Sequence, residues 1–446
     1  MSSIVRRKTF YVLGVVAAII IASEMFLVSK TEIFDKRIIV IQNGINLKSP
    51  LELNKAIPFV WKTPDSPNGK GNDSSRGVSK ESRTFFIAFS YWEQLAMATT
   101  NLMTLAALAA YSGRRVVAPF VKNSKMQIGQ PENESQTMAF YFNLSSFNKK
   151  LLSHGYSTLA SWEAFQDICH DKLDLLLYFI YRPEATRLRK DRNISWPLVF
   201  PCSWSGRQHE QLYKGFQVAR TICLDVEILK SIERFNTEVS KGRPCIGIEE
   251  WRGNGSTTRA NFPLPSTIHR PLSKLGVSFF NEKLMEIARD FISRTLDPTF
   301  ISVHLRTEAI LVRGGTISTV IDCFNEMAAQ VRHKQDSTKS KTKIFVAGDF
   351  LAFGSHSGTI LPARDKAKLL INQLNKQFVD SIMIFFDPQA YNLLDSGSVA
   401  IVEMNILASG SQFFSVGGGS FQDWIRHLFV QRHNNSFANV YDFCTT

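Results

Sequence analysis

The stretch "FISVHLRTE", Phe300–Glu308, is a β-like run that ends in His304, Arg306, Thr307 and Glu308. A strand leading straight into ionisable groups is what the carboxyl edge of a parallel sheet offers a ligand. The flanking sequence alternates in the same sense. Helical patterns fill 280–294, 318–333, 362–376, 398–410 and 419–433, and β-like runs fill 299–305, 342–350, 380–386 and 412–417. Helices at 3.6-residue periodicity interleaved with short apolar runs predict an α/β domain whose mostly parallel sheet is covered on both faces.

The same logic applies further upstream. "RTFFIAFSYW" (83–92) reads as a strand, "EQLAMATTNLMTLAALAAYSG" (93–113) as a helix with a Ser-Gly stop, and "RRVVAPFV" (114–121) as a second strand. That β-α-β order implies parallel strands and a right-handed crossover. Strands at "WPLVFPCS" (196–203) and "PCIGIEEWRG" (244–253), with a helix at "DVEILKSIERF" (225–235), complete the reading. Two such units predict two Rossmann-like domains facing a cleft, at 83–270 and 271–446.

The N-terminal part is of a different kind. Arg6, Arg7 and Lys8 precede the apolar run Phe10–Val28. Its length is close to the ~20 residues that a spanning helix needs. Positive charge on the leading side places residues 1–9 in the cytosol, although Glu24 is costly in hydrocarbon. The run is read as a signal anchor; the other reading is a cleaved signal peptide, for which no clear small-x-small site follows. Residues 30–82, with "KTPDSPNGKGNDSSRGVSKES", are Gly/Ser/Asp/Lys-rich and form a stem or linker.

The remainder then faces a lumen. All six cysteines (Cys169, Cys202, Cys223, Cys245, Cys323, Cys444) follow the apolar run. They predict up to three disulfides whose pairing the sequence leaves open. The absence of CxxC argues against a zinc site. Sequons at Asn72, Asn133, Asn143, Asn193, Asn254 and Asn434 are glycan acceptors in such a chain. The net charge is +13 over 446 residues, with 44% hydrophobic and 20% charged residues. This composition excludes a disordered chain, and the spread of Lys and Arg gives no nucleic-acid tail.

Three strand ends carry candidate chemistry. Arg306 can fork onto phosphate oxygens with two parallel hydrogen bonds. The other reading leaves Arg306 in a structural ion pair and His304 in the core. "FVAGDF" puts Asp349 at a strand end, and "FFSVGGGSFQDWI" (413–425) turns strand into helix through Gly417–Gly419. Such a turn admits a ligand close to the backbone, and Ser420 is placed to cap a helix start that favours an anion. It is neither a Walker loop nor a G-x-G-x-x-G fingerprint.

"FISVHLRTE", "KIFVAGDF" and "VAIVEMNILASGSQFFSVGGGSFQDWI", in this order, resemble the GDP-fucose-dependent protein O-fucosyltransferase-like glycosyltransferases, with "YSGRRVVAPF" similar to the second strand of their opening unit. The resemblance covers roughly 83–444. It implies a GT-B-type fold of two Rossmann-like domains and a single-pass type II membrane protein of the Golgi or endoplasmic reticulum. It also implies inverting transfer of fucose from GDP-fucose to a hydroxyl of a glycoprotein or glycan acceptor. Arg306 would neutralise the departing diphosphate with support from His304. Ser420, Phe421 and the backbone at Gly419 would hold phosphate, and Asp349 and Asp395 would lie near the nucleoside. No metal or cofactor is expected, because arginine and helix ends stabilise the leaving group; the sequence has no D-x-D. Where such enzymes carry a Gly-rich loop after the first strand, this chain reads "FSYWEQLAMATTN" (89–101). Glu93 is there a candidate general base, Asn101 is a residue of the following helix, and Glu308 is a base or an ion-pair partner of Arg306. The other functional class is a catalytically silent, membrane-anchored lectin-like or scaffold protein that keeps the fold.

Overall fold

A computed structural model describes residues 83–445 except 129–134, 181–198, 206–210, 254–263, 265–278, 339–341, 350–366, 379–380 and 435. The apolar run 10–28, the stem 30–82 and the sequons Asn72, Asn133, Asn193 and Asn254 lie outside the described residues. Among the described residues no helix is long and apolar enough to cross a membrane. All of them belong to one compact unit, Gly77–Thr446.

Two sheets organise this unit. The first has seven strands: β1 (Phe85–Ala88), β2 (Arg115–Val117), β3 (Leu159–Ala160), β4 (Leu175–Ile180), β5 (Val199–Phe200), β6 (Thr221–Asp225) and β7 (Cys245–Ile248), in the order β3-β2-β1-β7-β4-β6-β5. Every pairing in it is parallel except β6 with β5. The second has five strands, all parallel: β8 (Ile301–Leu305), β9 (Ile344–Gly348), β10 (Met383–Ile384), β11 (Gln412–Val416) and β12 (Val440–Phe443), in the order β10-β9-β8-β11-β12. The expected mixed α/β class with parallel sheets is therefore present. β8, the strand of the opening quotation, occupies the centre of the second sheet between β9 and β11.

The expected helix after β1 is α1 (Leu95–Tyr111), buried along nearly its whole length. Its sequence is apolar all round, which suits a helix with no solvent face. Its threonines return their hydroxyls to the helix itself: Thr99 Oγ1 donates to Leu95 O at 2.6 Å and Thr100 Oγ1 to Ala96 O at 2.9 Å. Buried hydroxyls satisfied this way cost little. The helical patterns downstream give α2 (Glu282–Thr295), α4 (Ile317–Thr338), α5 (Ala367–Gln377), α6 (Ser396–Leu407) and α7 (Ser420–Arg432); between α2 and α4 lies one more short helix, α3 (Thr307–Val312), which the sequence reading does not single out. The helix expected over 225–235 is instead a 3₁₀ turn, Val226–Lys230, followed by one α-turn, Ile232–Phe235. Ser231 caps the second piece through Arg234 N–H at 3.3 Å, and that cap breaks the run.

One apolar core continues from the first sheet to the second, through Phe86 and Leu102 on one side and Phe413, Trp424 and Phe429 on the other. Trp424 of α7 packs edge-on to Phe279 at 6.3 Å and against Phe280 at 6.0 Å. Truncating so large a buried side chain to alanine costs about 3–5 kcal/mol. The second join is polar. The hairpin tip Asn123–Ser124, both residues at positive φ, meets the start of α6. Asp395 caps that helix through Ser398 N–H at 2.9 Å and also accepts from Tyr141 Oη at 2.5 Å and Asn123 N–H at 2.6 Å.

All six cysteines are paired: Cys169–Cys245, Cys202–Cys223 and Cys323–Cys444. The first two lie in the first sheet's layer, and the third ties α4 to the residue after β12.

Candidate functional site

The site grows from the join between β8 and β11. Arg306 follows β8, and its N–H donates to Val416 O at 2.8 Å, extending the ladder one residue beyond the strand. That bond lays Arg306 alongside the glycine turn. A Cβ on Gly417 would stand 2.1 Å from Arg306 O, and one on Gly419 would stand 2.1 Å from Arg306 Nη1. The two glycines have φ of +103° and +135°. Space and backbone conformation both demand glycine, and the result is a guanidinium lying on bare backbone at the start of α7.

Ser420 was expected to cap α7. Gly419 holds the cap position instead, with its carbonyl accepting from Asp423 N–H at 3.0 Å, and Ser420 is the first helical residue. The N–H groups of that first turn and the guanidinium form one electropositive place. Phe421 packs its ring on His304 at 5.4 Å, and His304 is buried in β8. Gln422, which the sequence reading did not single out, is fully buried and donates to Val416 O at 2.9 Å. It buttresses the turn from beneath.

Asp349, expected near the nucleoside, is committed to protein. It is buried at the end of β9 and accepts from Thr307 N–H at 3.0 Å, Thr307 Oγ1 at 2.7 Å and Glu308 N–H at 2.7 Å. It thus caps α3 across the sheet and sets the direction in which Arg306 and Glu308 leave β8. Burial pushes its carboxyl above the ordinary aspartate range, against the pull of those donors and of Arg306. Asp395 is likewise engaged, at the hairpin join described above.

Glu93 arrives from the first sheet. It sits in the loop after β1 with φ +65°, a left-handed conformation that costs a non-glycine residue about 1 kcal/mol or more. A carboxylate here occupies a backbone conformation that glycine adopts more easily. Three contacts hold the loop. Tyr91 N–H donates to Met126 O at 3.2 Å, Trp92 N–H to Trp251 O at 3.1 Å, and Asn101 Nδ2 to Trp92 O at 3.1 Å. Asn101 is therefore more than a helix residue: it fixes the peptide beside Glu93. The Arg252 guanidinium also lies over the Trp92 ring at 5.4 Å.

Electrostatics show which groups share the site. Glu93 keeps solvent on one side. Partial burial pushes its carboxyl up while Arg306 pulls it down. Glu308 is pushed up by burial first, then by the charges of Asp349 and Glu93, with Arg306 opposing. Arg306 thus stands among Glu93, Glu308 and Asp349, one of them from the first sheet and two from the second. Such groups together can hold a diphosphate against Arg306 and the α7 start while a carboxylate in the same field takes a proton. Among the described residues no cluster of His, Cys, Asp and Glu is arranged to hold a metal ion. Asn143 and Asn434, the two sequons among the described residues, are exposed.

No family model and no curated protein sequence matches the chain. Solved structures similar to it include a protein named as a fucosyltransferase and complexes with GDP or GDP-fucose. POFUT1 in complex with GDP-fucose has a TM-score of 0.49 and 13% identity over 82% of this chain and 99% of that one. The fucosyltransferase NodZ from Bradyrhizobium has a TM-score of 0.35 and 12% identity over 78% and 92%. Arabidopsis thaliana FUT1 in complex with GDP has a TM-score of 0.35 and 9% identity over 78% and 69%.

Proposed function

We propose that this chain is a glycosyltransferase that moves fucose from GDP-fucose to a hydroxyl of a glycoprotein or glycan acceptor, with inversion and without a metal. The observation that carries the reading is the Arg306 guanidinium lying on Gly419 at the start of α7, with its charge acting on Glu93 from the loop after β1. The diphosphate of the donor lies against Arg306 and the first-turn N–H groups of α7, with Ser420 beside them. Negative charge builds on it as the glycosidic bond breaks, and a planar fork of N–H donors stabilises that charge more in the transition state than in the ground state. His304 and Phe421 line the wall behind.

Glu93 takes the acceptor proton. A carboxyl held above its ordinary range is a better base near neutral pH than an unperturbed one. Glu308, which shares the field of Arg306, neutralises part of the guanidinium charge when the donor is absent. Asp349 acts through others, by fixing the α3 start. The folded part is placed in the lumen of the Golgi or endoplasmic reticulum behind the apolar run 10–28, as a single-pass type II protein. Three disulfides support an oxidising compartment.

The test is release of GDP from GDP-fucose by the purified chain, with hydroxyl acceptors supplied. Turnover that disappears in Arg306→Ala while the fold persists supports the reading. GDP binding without turnover favours the silent, lectin-like protein. No binding of GDP or GDP-fucose defeats the site assignment.

A further inference from the structure

We infer that Arg313 is a positioning residue for the glycine turn, and that the last residues of the chain are part of the anion site; this rests on the nucleotide-diphosphate reading above. Arg313 stands at the far end of α3, the short helix that begins beside Arg306. Its Nη1 donates to Gly417 O at 3.1 Å and to Thr445 O at 3.0 Å. The two arginines flanking α3 therefore grip the two ends of one turn, Arg306 at Gly419 and Arg313 at Gly417.

The turn needs such a grip. Gly417, Gly418 and Gly419 all have positive φ and offer no side chain to hold them. Glycine backbone is the costliest to order, so neighbours must fix it. The neighbours are C-terminal. Gly417 N–H donates to Phe443 O at 3.0 Å, and Gly418 faces Thr445 closely enough that a Cβ would lie 3.4 Å from Thr445 O. Ser415 Oγ donates to Asp442, which also pairs with Arg426 of α7 at 2.8 Å. Cys444, between Phe443 and Thr445, is anchored to α4 by its disulfide with Cys323. The strand before the turn, the turn and the helix after it are thus each bonded to residues 442–445. A guanidinium on the Gly417 carbonyl also cancels the repulsion between that oxygen and an anion beside it.

The experiment uses the full-length chain in detergent micelles, titrated calorimetrically with GDP. Arg313→Met is expected to weaken GDP binding about tenfold, with the melting temperature of the unliganded protein within about 2 °C of wild type. Arg313→Lys is expected to recover most of the affinity, because a single nitrogen makes both bonds and an ammonium can do the same. Amide hydrogen exchange at Gly417–Gly419 in unliganded Arg313→Met is expected to quicken. Unchanged affinity together with unchanged exchange overturns the inference. Wild type that fails to bind GDP while exchange still quickens defeats the nucleotide reading and leaves the grip standing. If Arg313→Met does not fold, a chain ending at Cys444 carries the test. It loses one of the two acceptors, so affinity should fall about threefold, and wild-type affinity overturns the C-terminal part of the inference.

Discussion

Replacing Gly419 with alanine tests the site most directly. The added Cβ would stand 2.1 Å from Arg306 Nη1 and 2.9 Å from Cζ. Ordinary contact is at 3.4 Å, so the guanidinium must retreat by about 1.3 Å. A misplacement of about 1 Å in a group that contacts the reacting centre costs roughly 100-fold in rate. At φ +135° the alanine backbone is also strained by about 1–3 kcal/mol. Gly419→Ala is therefore expected to lose about two orders of magnitude in GDP release from GDP-fucose, with a modestly lowered melting temperature. Arg306→Ala alone is expected to lose two to three orders. The double variant sharpens the logic. Once the guanidinium is gone, the new methyl has nothing to displace, so Gly419→Ala with Arg306→Ala should be little worse than Arg306→Ala. Losses that multiply in the double variant, or Gly419→Ala with wild-type turnover, would refute the claim that the glycine exists to seat Arg306.

Three other outcomes are expected. Arg306→Lys should be nearly as inactive as Arg306→Ala, because an ammonium lacks the fork, whereas Ser420→Ala should retain most turnover, since Gly419 holds the cap position; GDP release ranks the three. Glu93→Gln should abolish transfer to an acceptor while GDP affinity stays within about threefold, and the alkaline-rising limb of the wild-type pH profile should lie above the ordinary glutamate range, because the base works only once ionised. Glu403 in α6 is pushed up to about 8 by burial; a raised carboxyl makes the folded state bind the extra proton, so stability falls as pH rises from the ordinary glutamate value through about 8. Glu403 retains some solvent access, so Glu403→Gln should gain only about 1–2 kcal/mol at pH 8 and nearly nothing at pH 4 in thermal melts.

Much of the fold was legible because its signals are local. The helices flanking β8, β9 and β11 carry apolar residues at 3.6-residue spacing, a mark that close neighbours in the sequence bear. β4, "LLLYFI", went unread although six consecutive buried apolar residues mark a strand inside a sheet. A short apolar run does not distinguish strand from helix by periodicity. β12, at Val440–Phe443, is four residues long and only partly buried, so it carries no pattern at all; its partner β11 makes it a strand. Within the site, Arg306, Gly417 and Gly419 were legible because a charged strand end and a glycine run are unusual in themselves. Asp349 was legible as a strand-end carboxylate, but its use was not, since capping α3 depends on which strand lies beside β8.

By itself the sequence determined an α/β chain, an apolar run ahead of a polar stretch, and a strand that ends at a histidine and an arginine. Tertiary structure alone decided that Glu93, 213 positions upstream of Arg306 in the sequence, shares its electrostatic field. It also decided which of the cysteines pair, and that the final residues of the chain brace the glycine turn. The physical reason is range. Periodicity, caps and glycine conformations act over a few residues and leave their mark in neighbouring letters. Coulomb fields, disulfides and sheet neighbours act across space, and parallel sheets assemble that space from segments far apart in the chain.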